Sequence, residues 1–353
     1  MLKIALVGCG RIAKRHSELL GFDQIKGAQL VSVCDNVIDK ANKIGEQFNV
    51  PAYIDMDAMM KSEPIDIVVV LTPSGLHAEH VVNLSKYGKH IIVEKPMALS
   101  IEDTEAMIYA CDANNIKLFV IKQNRFNVPV VKLRKALVSG RFGKLTLGTV
   151  RVRWARHQAY YDQDLWRGTW SMDGGVLTNQ ASHHVDMLEW MMGDVESVFA
   201  KMTTALADVE TEDTAIVTLK FKSGALGIIE ATTATRPTNL EGSISILGEH
   251  GTVVIGGVAV NEMQTWAFED EQEGDSSVLE EFSVNPPNVY GFGHQAYYEH
   301  VVDCVVNESA NLVDGLQGRK SIELISAIYE SAETGKEVFL KFQPKHCRLG
   351  QKS

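Results

Sequence analysis

The sequence contains no long apolar run of the kind that crosses a membrane. No stretch of about 18 uninterrupted apolar residues occurs among its 353 residues, so the sequence predicts a soluble protein that does not span a bilayer. Residues 1–13 are partly apolar, but glycines interrupt them and no small-residue cleavage site follows. That pattern favours a buried strand over a secretory signal.

Cysteines in paired spacings and an excess of basic residues are also absent. The five cysteines are odd in number and scattered, which matches neither a zinc site nor a disulfide frame. We therefore expect a reduced, cytoplasmic protein without a structural metal. The net charge of −11 argues against a nucleic-acid partner, because neutralising phosphates requires a basic face.

The length and the apolar pattern predict two domains with different sheets. A chain of 353 residues exceeds the roughly 250–300 residues at which single cores usually stop growing. In the first part, apolar runs alternate with segments of helical periodicity, which predicts an α/β domain with a doubly wound parallel sheet. These runs are 2–7, 29–34, 65–71, 90–94 and 117–121.

After Gly143 the apolar pattern changes to a period of two, which predicts a large, mostly antiparallel sheet. The runs with this period are 145–154, 195–205, 213–221, 224–235, 242–248 and 251–257. A helical segment from about 174 to 193 interrupts the series. Two late helical segments, 294–306 and 316–335, are expected to pack back against one of the sheets, and the first domain is one candidate.

A glycine loop directly after the first predicted strand indicates a dinucleotide site. The residues from Gly8 to Ala13 read G-x-G-x-x-A and open a helix, whose free N–H groups stabilise a pyrophosphate. Asp35 ends the next strand, where a carboxylate accepts hydrogen bonds from a ribose 2′-hydroxyl and repels a 2′-phosphate. We therefore predict NAD rather than NADP. The predicted contacts from this region are Gly8, Gly10, Arg11, Ile12 and Asp35.

Polar residues follow the third and fourth predicted strands at their carboxyl ends, where open parallel sheets bind ligands. Lys95 follows the fourth strand and is suited to hydrogen-bond a substrate hydroxyl group and stabilise negative charge on its oxygen. The other residues predicted to line the cofactor site here are Thr72, Pro73, Ser74, His77 and Glu94.

A second candidate cluster lies in the 174–186 segment. On one continuous helix, Asn179 and His183 would share a face, with Asp186 three residues further on. A histidine takes up a proton near neutral pH, so His183 is the predicted general base. The alternative is a core histidine bonded to Asp186, which stays open for His184.

Arginines and aromatic residues are concentrated in 151–170, although the protein is acidic overall. Guanidinium groups recognise carboxylates and phosphates, and aromatic rings can flank a sugar or a base, so the segment favours an anionic substrate. Arg156 and Arg167 are the candidates. For Arg151 and Arg153, charges on the surface of a strand explain the pattern equally well.

Together these motifs resemble the Gfo/Idh/MocA oxidoreductase family over nearly the whole chain. The resemblance rests on the glycine loop, the turn ending at His77, Glu94-Lys95-Pro96, Arg125-Phe126 and the 174–186 segment. It implies a Rossmann NAD-binding domain over 1–122. It also implies an α+β domain over 123–353, with an open-faced sheet for substrate binding and oligomerisation into dimers or tetramers.

The resemblance also implies roles for individual residues. Lys95 and His183 correspond to the catalytic pair, and Gln123 and Trp166 join the cofactor contacts. Many family members carry aspartate where this chain has Asn179, which puts a carboxylate-assisted proton relay in doubt. The implied substrate contacts are Asn179, Gln180, Arg167, Tyr160, Arg156 and Arg125.

Asn179, Gln180 and the stretch 154–170 are similar to one branch of the family. That branch oxidises UDP-N-acetylglucosaminuronate at C3 during the synthesis of surface polysaccharides such as lipopolysaccharide. This is the leading hypothesis. The alternatives are a dehydrogenase of free polyols or sugars such as inositol or glucose, an NAD-linked glycosidase, and a redox-sensing regulator, which intact Lys95 and His183 argue against.

Overall fold

The computed structural model describes residues 1–284 and 291–340. Within these ranges the cysteines at 9, 34, 111 and 304 are buried and free, and Cys347 lies outside them. None of the helices in these ranges combines the length and the apolar content that a membrane crossing requires.

The first sheet has six parallel strands in the order β3-β2-β1-β4-β5-β6. They are β1 (Leu2–Val7), β2 (Ala28–Cys34), β3 (Ala52–Tyr53), β4 (Ile67–Val70), β5 (His90–Val93) and β6 (Leu118–Val120). The five strands predicted from apolar runs are all present. The sixth, β3, has two residues, too few to produce a periodic signal. The strand order reverses between β1 and β4, which opens a crevice at the carboxyl ends of the strands.

Helices cover both faces of this sheet, which explains why its strands are apolar on both sides. Ile4 and Leu6 of β1 belong to the core on one face, and Ala5 and Val7 belong to the core on the other. The helices of this part are α1 (Ala13–Gly21), α2 (Ile38–Phe48), α3 (Met56–Ser62), α4 (His77–Ser85) and α5 (Ile101–Ala113). Ser100 caps α5: its hydroxyl oxygen accepts the backbone N–H of Asp103 at 3.1 Å.

The second sheet has eight strands in the order β13-β12-β11-β7-β10-β9-β8-β14. They are β7 (Leu145–Arg153), β8 (Val195–Thr203), β9 (Thr214–Phe221), β10 (Leu226–Thr232), β11 (Glu241–Gly248), β12 (Gly251–Gly256), β13 (Glu262–Phe268) and β14 (Val338–Phe339). Every neighbouring pair is antiparallel except β7 with β10, so the predicted mostly antiparallel sheet is confirmed.

Helices cover one face of the second sheet and build its core. The helices that pack there are α6 (Val128–Val138), α8 (Ser182–Met192) and α11 (Gly315–Thr334). Two short helices, α7 (Gln158–Tyr161) and α9 (Val278–Glu281), lie in the connections of this domain. Along β9 and β10, buried side chains alternate with exposed or half-buried ones that lie on the opposite face, as the period of two predicts.

The late helices return to both sheets. Helix α10 (Gly293–Val306) places Tyr297, Tyr298 and Val301 in the core on one face of the first sheet. Helix α11 packs against β8 on one side and against α5 on the other. Both helices therefore join the two halves of the chain, and the domain division at residue 122 remains a prediction.

The helix predicted from about 174 to 193 is shorter in the structure, which is a correction. Helix α8 begins at Ser182, and the residues before it form turns. Gly174 has a φ of +78°, and the N–H groups of Val176 and Leu177 donate to the backbone and side chain of Glu212 at 2.9 Å. Because these donors are used by another segment, Asn179 does not lie on the helix that carries His183.

Candidate active site

A cavity of about 930 Å³ lies between the carboxyl ends of the first sheet and residues 154–183 of the second domain. The two sides touch directly: Gly75 donates its N–H to the carbonyl oxygen of Met172 at 3.0 Å. The predicted site residues that line this cleft are Gly8, Gly10, Arg11, Ile12, Asp35, Thr72, Pro73, Ser74, His77, Glu94, Lys95, Gln123, Arg156, Tyr160, Trp166, Arg167, Asn179, Gln180 and His183.

The surroundings of Gly8 and Gly10 suit the binding of a dinucleotide to the glycine loop. Gly8 has a φ of +96°, and a Cβ there would lie 2.7 Å from the carbonyl carbon of Leu71, so only glycine fits. A Cβ on Gly10 would meet no atom within 4 Å, since this backbone borders the open cleft. Asp35 accepts the N–H of Cys9 at 2.7 Å and that of Val37 at 2.8 Å. A carboxylate has about four acceptor positions, which leaves room for a ribose hydroxyl.

His77 connects the two loops that follow β4 and β5. Its ring nitrogens lie 2.8 Å from the carbonyl oxygens of Pro96 and Thr72. The hydroxyl group of Thr72 lies 2.9 Å from Nδ1 of His80. His77 therefore fixes the spacing of the loops that carry the predicted cofactor contacts and the lysine.

Lys95 is held where the two domains meet. Its Nζ donates to the backbone oxygen of Asn179 at 2.7 Å, which joins the end of β5 to the turn before α8. Burial lowers the pKa of Lys95, and the charges of Glu94 and Asp173 oppose that shift. The ammonium group is thus a hydrogen-bond donor in a low-dielectric site.

Glu94 contacts His16, which in turn contacts Tyr298, and the sequence analysis identified neither residue. Its side chain accepts the backbone N–H of Lys95 at 2.6 Å and lies 3.3 Å from Nε2 of His16. Nδ1 of His16 lies 2.7 Å from the hydroxyl oxygen of Tyr298 in α10. Burial alone would raise the pKa of Glu94, but the hydrogen bond and charge of His16 and the charge of Lys95 lower it to about 2. The carboxylate is therefore ionised.

His183 is a neutral imidazole at the start of α8. It is 9% exposed, and within 1–284 and 291–340 its Nε2 has no hydrogen-bond partner. Burial first, and the charge of Lys95 second, hold the pKa of His183 well below its usual range. A neutral imidazole has an unprotonated ring nitrogen that can accept a proton, and the same burial and positive charge make this ring a weaker base than a free histidine.

His184 is a core residue, and Asp186 does not bond to either histidine. His184 packs edge-on against Trp154 with ring centroids 5.9 Å apart, and burial lowers its pKa to about 3. The carboxylate of Asp186 instead pairs with Lys122 and Arg125, all of them buried. The alternative of a histidine bonded to Asp186 is therefore wrong.

Arg125 does not line the cleft, which corrects its predicted substrate contact. Its Nε and Nη2 donate to the two oxygens of Asp186 at 2.8 Å and 2.7 Å, and Nη1 donates to the carbonyl oxygen of Leu312 at 3.0 Å. It borders a separate cavity of about 350 Å³. The sequence cannot distinguish an arginine that awaits a ligand from one paired with a residue 61 positions away.

Three guanidinium groups surround Tyr160 in the cleft: those of Arg156 and Arg167 from the second domain and that of Arg11 from the glycine loop of the first. Arg11, Arg156 and Arg167 lie 5.4, 5.3 and 4.8 Å from the centre of its ring. Arg167 donates to the Tyr160 hydroxyl oxygen at 2.9 Å and to Asp164 at 2.9 Å. This arrangement, which we call the arginine wall, is a cationic surface in an acidic protein.

The remaining arginines of the segment lie elsewhere. Arg153 of β7 donates to Glu230 at 2.6 Å, and Arg151 forms longer ion pairs with Glu230 and Glu241. Both are charges on the surface of the sheet, which was one of the two interpretations offered for them; the other was contact with an anionic substrate.

The other predicted substrate contacts meet at the wall or near Lys95. Nε2 of Gln180 lies 3.5 Å from the hydroxyl oxygen of Tyr160. The side-chain amide of Asn179 donates to Asp173, a buried carboxylate that the sequence analysis missed. No periodicity or spacing distinguishes Asp173 from the other acidic residues of its loop.

Comparison with known families gives two matches along the chain. Residues 2–122 match the oxidoreductase family, NAD-binding Rossmann fold, and residues 134–340 match the oxidoreductase family, C-terminal alpha/beta domain, both of the Gfo/Idh/MocA group.

Individual relatives fall into two groups. The WlbA dehydrogenases of Bordetella pertussis and Chromobacterium violaceum, both solved with NADH and UDP-GlcNAcA, are 39% and 42% identical with TM-scores of 0.89 and 0.90. These alignments cover 97% of this chain and 99% and 97% of those chains. The myo-inositol 2-dehydrogenase of Thermotoga maritima is 30% identical over 281 residues, covering 78% of this chain and 80% of the relative.

Proposed function

Because this chain belongs to the Gfo/Idh/MocA oxidoreductase family, whose NAD-dependent enzymes act on the hydroxyl groups of sugars, we propose a specific substrate for it. The substrate is a nucleotide-linked sugar uronate similar to UDP-N-acetylglucosaminuronate. The enzyme oxidises its C3 hydroxyl group to a ketone, and the product serves surface-polysaccharide synthesis.

The arginine wall is the observation that carries this proposal. Three guanidinium groups converge on Tyr160, and Arg167 pairs with a single carboxylate, Asp164, across the described ranges. Guanidinium groups bind phosphates and carboxylates in bidentate fashion, and a diphosphate with a uronate carboxylate supplies the negative charge that the wall lacks. A neutral polyol makes no use of such a wall.

The relatives support the same substrate class. Two dehydrogenases that align with nearly the whole chain at 39% and 42% identity bind UDP-GlcNAcA in their structures. The inositol dehydrogenases of Thermotoga maritima and Bacillus subtilis align at the lower identities of 30% and 23%.

The residues of the cleft divide the chemistry between them. The glycine loop and Asp35 would hold NAD, which would supply the acceptor for the hydride that leaves the substrate carbon. Lys95 donates a hydrogen bond to the reacting oxygen and stabilises the charge that develops on it. His183, a neutral imidazole with Nε2 available, accepts the hydroxyl proton, and Asn179 orients the sugar beside Lys95.

A substrate panel tests the proposal. Single-turnover formation of NADH is followed by absorbance with UDP-N-acetylglucosaminuronate, UDP-N-acetylglucosamine, free N-acetylglucosaminuronate and myo-inositol. The proposal expects the first substrate to react fastest, because only it presents both the diphosphate and the carboxylate to the arginine wall. Isotope exchange at C3 serves as a second readout if the cofactor does not leave the enzyme.

The second candidate is a dehydrogenase of a free polyol or sugar, which the relationship to the inositol 2-dehydrogenase favours. Fast turnover of myo-inositol or glucose, unaffected by added UDP, would select this candidate and reject the nucleotide sugar. Inhibition by UDP alone would favour the first.

We also propose that the open face of the second sheet joins copies of this chain into dimers or tetramers. Ile216 of β9 is 57% exposed there, Leu226 of β10 is 56% exposed, and Phe199 and Ile228 are 38% exposed. Large apolar side chains grouped on one face are typical of an interface. Light scattering of Ile216→Lys should show smaller particles than wild type; a monomeric wild type excludes the proposal.

A further inference from the structure

Asp173 lies at the junction of three parts of the cleft. It is 1% exposed, and one carboxylate oxygen accepts the backbone N–H of Gly168 at 2.9 Å. The other accepts the side-chain amide of Asn179. Gly168 follows Arg167 directly, so one carboxylate holds both the loop of the arginine wall and the residue that contacts Lys95.

The contact with Asp173 fixes which way the amide of Asn179 points. Burial raises the pKa of Asp173, and the hydrogen bonds from Gly168 and Asn179 and the charges of Arg167 and Lys95 oppose that shift. The carboxylate oxygen that meets Asn179 accepts its hydrogen bond, so the NH2 group of Asn179 faces it. Oδ1 is then the group that Asn179 offers elsewhere, and it is an acceptor. The backbone oxygen of the same residue accepts from Nζ of Lys95 at 2.7 Å. Asn179 thus contacts the buried carboxylate with its side chain and the lysine with its backbone.

The charge of Asp173 also acts on Lys95. Burial lowers the pKa of Lys95, and Glu94 and Asp173 are the two carboxylates that raise it. Within the described ranges, the charged or titratable groups that act most strongly on Lys95 include Glu94, Asp173, Arg167, Arg156 and His183. Four of the five come from the second domain, and Asp173 is the single acid among those four.

We infer that Asp173 is a positioning residue that supplies, one step behind Asn179, the carboxylate that Asn179 itself lacks. It orients Oδ1 of Asn179 to accept a hydrogen bond from a hydroxyl or N–H group of the substrate next to the reacting carbon. It also balances the positive charge of Lys95. The inference rests on the proposed function for its sugar substrate, but it applies to any alcohol that the wild-type enzyme oxidises.

The first test is Asp173→Asn, which keeps the size of the side chain and removes its charge. The new amide has one accepting oxygen in place of two, so it cannot accept from both Gly168 and Asn179, and one of these two contacts is lost. We expect kcat/KM to fall about 10–100-fold, as small misplacements at reacting groups do. We also expect the alkaline limb of the pH profile to move to lower pH, because Lys95 loses a proton more easily. Glu210→Gln is the control: it removes a carboxylate that accepts the N–H of Trp170 in the same loop but does not line the cleft.

The second test exchanges the two side chains. In Asp173→Asn/Asn179→Asp, the amide at 173 accepts from Gly168 and donates to the carboxylate at 179, so an acceptor and a negative charge both return beside Lys95. We expect kcat/KM of the double variant to be at least tenfold higher than that of Asp173→Asn. We also expect the alkaline limb of its pH profile to return to the wild-type position. Asn179→Asp alone places two carboxylates together and should be impaired.

The outcomes separate this inference from the proposed function. Wild type without activity on UDP-N-acetylglucosaminuronate, but active on a polyol, defeats the proposed function, and the variants are then measured on that polyol. An Asp173→Asn enzyme with unchanged kcat/KM and pH profile overturns the inference. The inference is also overturned if Asp173→Asn loses activity while the alkaline limb of its pH profile stays in place and the double variant does not restore activity. That pattern indicates a purely structural role. Circular dichroism and NAD binding identify a variant that fails to fold, and the double variant then decides.

Discussion

The two walls of the cleft are held in place by different means. On the cofactor side, backbone groups dominate: glycines border the loop after β1, Asp35 accepts two N–H groups, and His77 lies between two carbonyl oxygens. On the substrate side, side chains hold side chains, as in Arg167 with Tyr160 and Asn179 with Asp173. We therefore expect single changes on the cofactor side to alter NAD affinity and single changes on the substrate side to alter the choice of substrate.

Removing the groups at the junction of the walls should have the largest effect. Lys95→Met and His183→Ala each remove a group that acts on the reacting hydroxyl, so we expect kcat/KM to fall about 10²–10⁴-fold. NAD affinity of His183→Ala, measured by fluorescence titration, should stay close to wild type. Activity retained in both variants would disprove the assigned roles.

The buried ion cluster of Asp186, Lys122 and Arg125 should contribute to the free energy of unfolding. Asp186→Asn leaves Lys122 and Arg125 buried without a carboxylate, which we expect to reduce the free energy of unfolding by about 3–5 kcal/mol in denaturant titrations. Asp194→Asn is the control, because its partners are exposed and such pairs contribute about 0–1 kcal/mol. Equal effects of the two variants would contradict the buried cluster.

The same cluster makes the free energy of unfolding depend on pH, and the pKa of Asp186 sets the direction of that dependence. Burial alone would raise the pKa of Asp186, but the charges of Arg125 and Lys122 hold it well below its usual range. A depressed pKa in the folded state means that the stabilisation is present above the unfolded value of about 3.9 and is lost as pH falls further. The stability difference between wild type and Asp186→Asn should therefore shrink below about pH 4.

Reciprocal variants of the two walls should have smaller and separable effects. Arg167→Ala removes a charged donor and should raise the KM for the nucleotide sugar about 10–100-fold while leaving NAD affinity unchanged. Asp35→Ala should weaken NAD about tenfold and reduce its preference over NADP, without changing the sugar KM. Dissociation constants and steady-state kinetics measure both. A wild type that binds NADP more tightly than NAD would contradict the assignment of Asp35.

The sequence alone determined those features whose signal lies in neighbouring residues. Apolar runs and the glycine loop predicted the parallel sheet and its nicotinamide cofactor, and strand ends located Lys95, because each pattern spans a few residues of one element. Tertiary structure alone decided the partners: Arg125 with Asp186, Asn179 with Asp173, and Glu94 with His16. Two of these pairs join residues more than 60 positions apart, and all three depend on the path of the chain in space. A carboxylate or guanidinium group looks the same in the sequence whether it faces a ligand or another side chain.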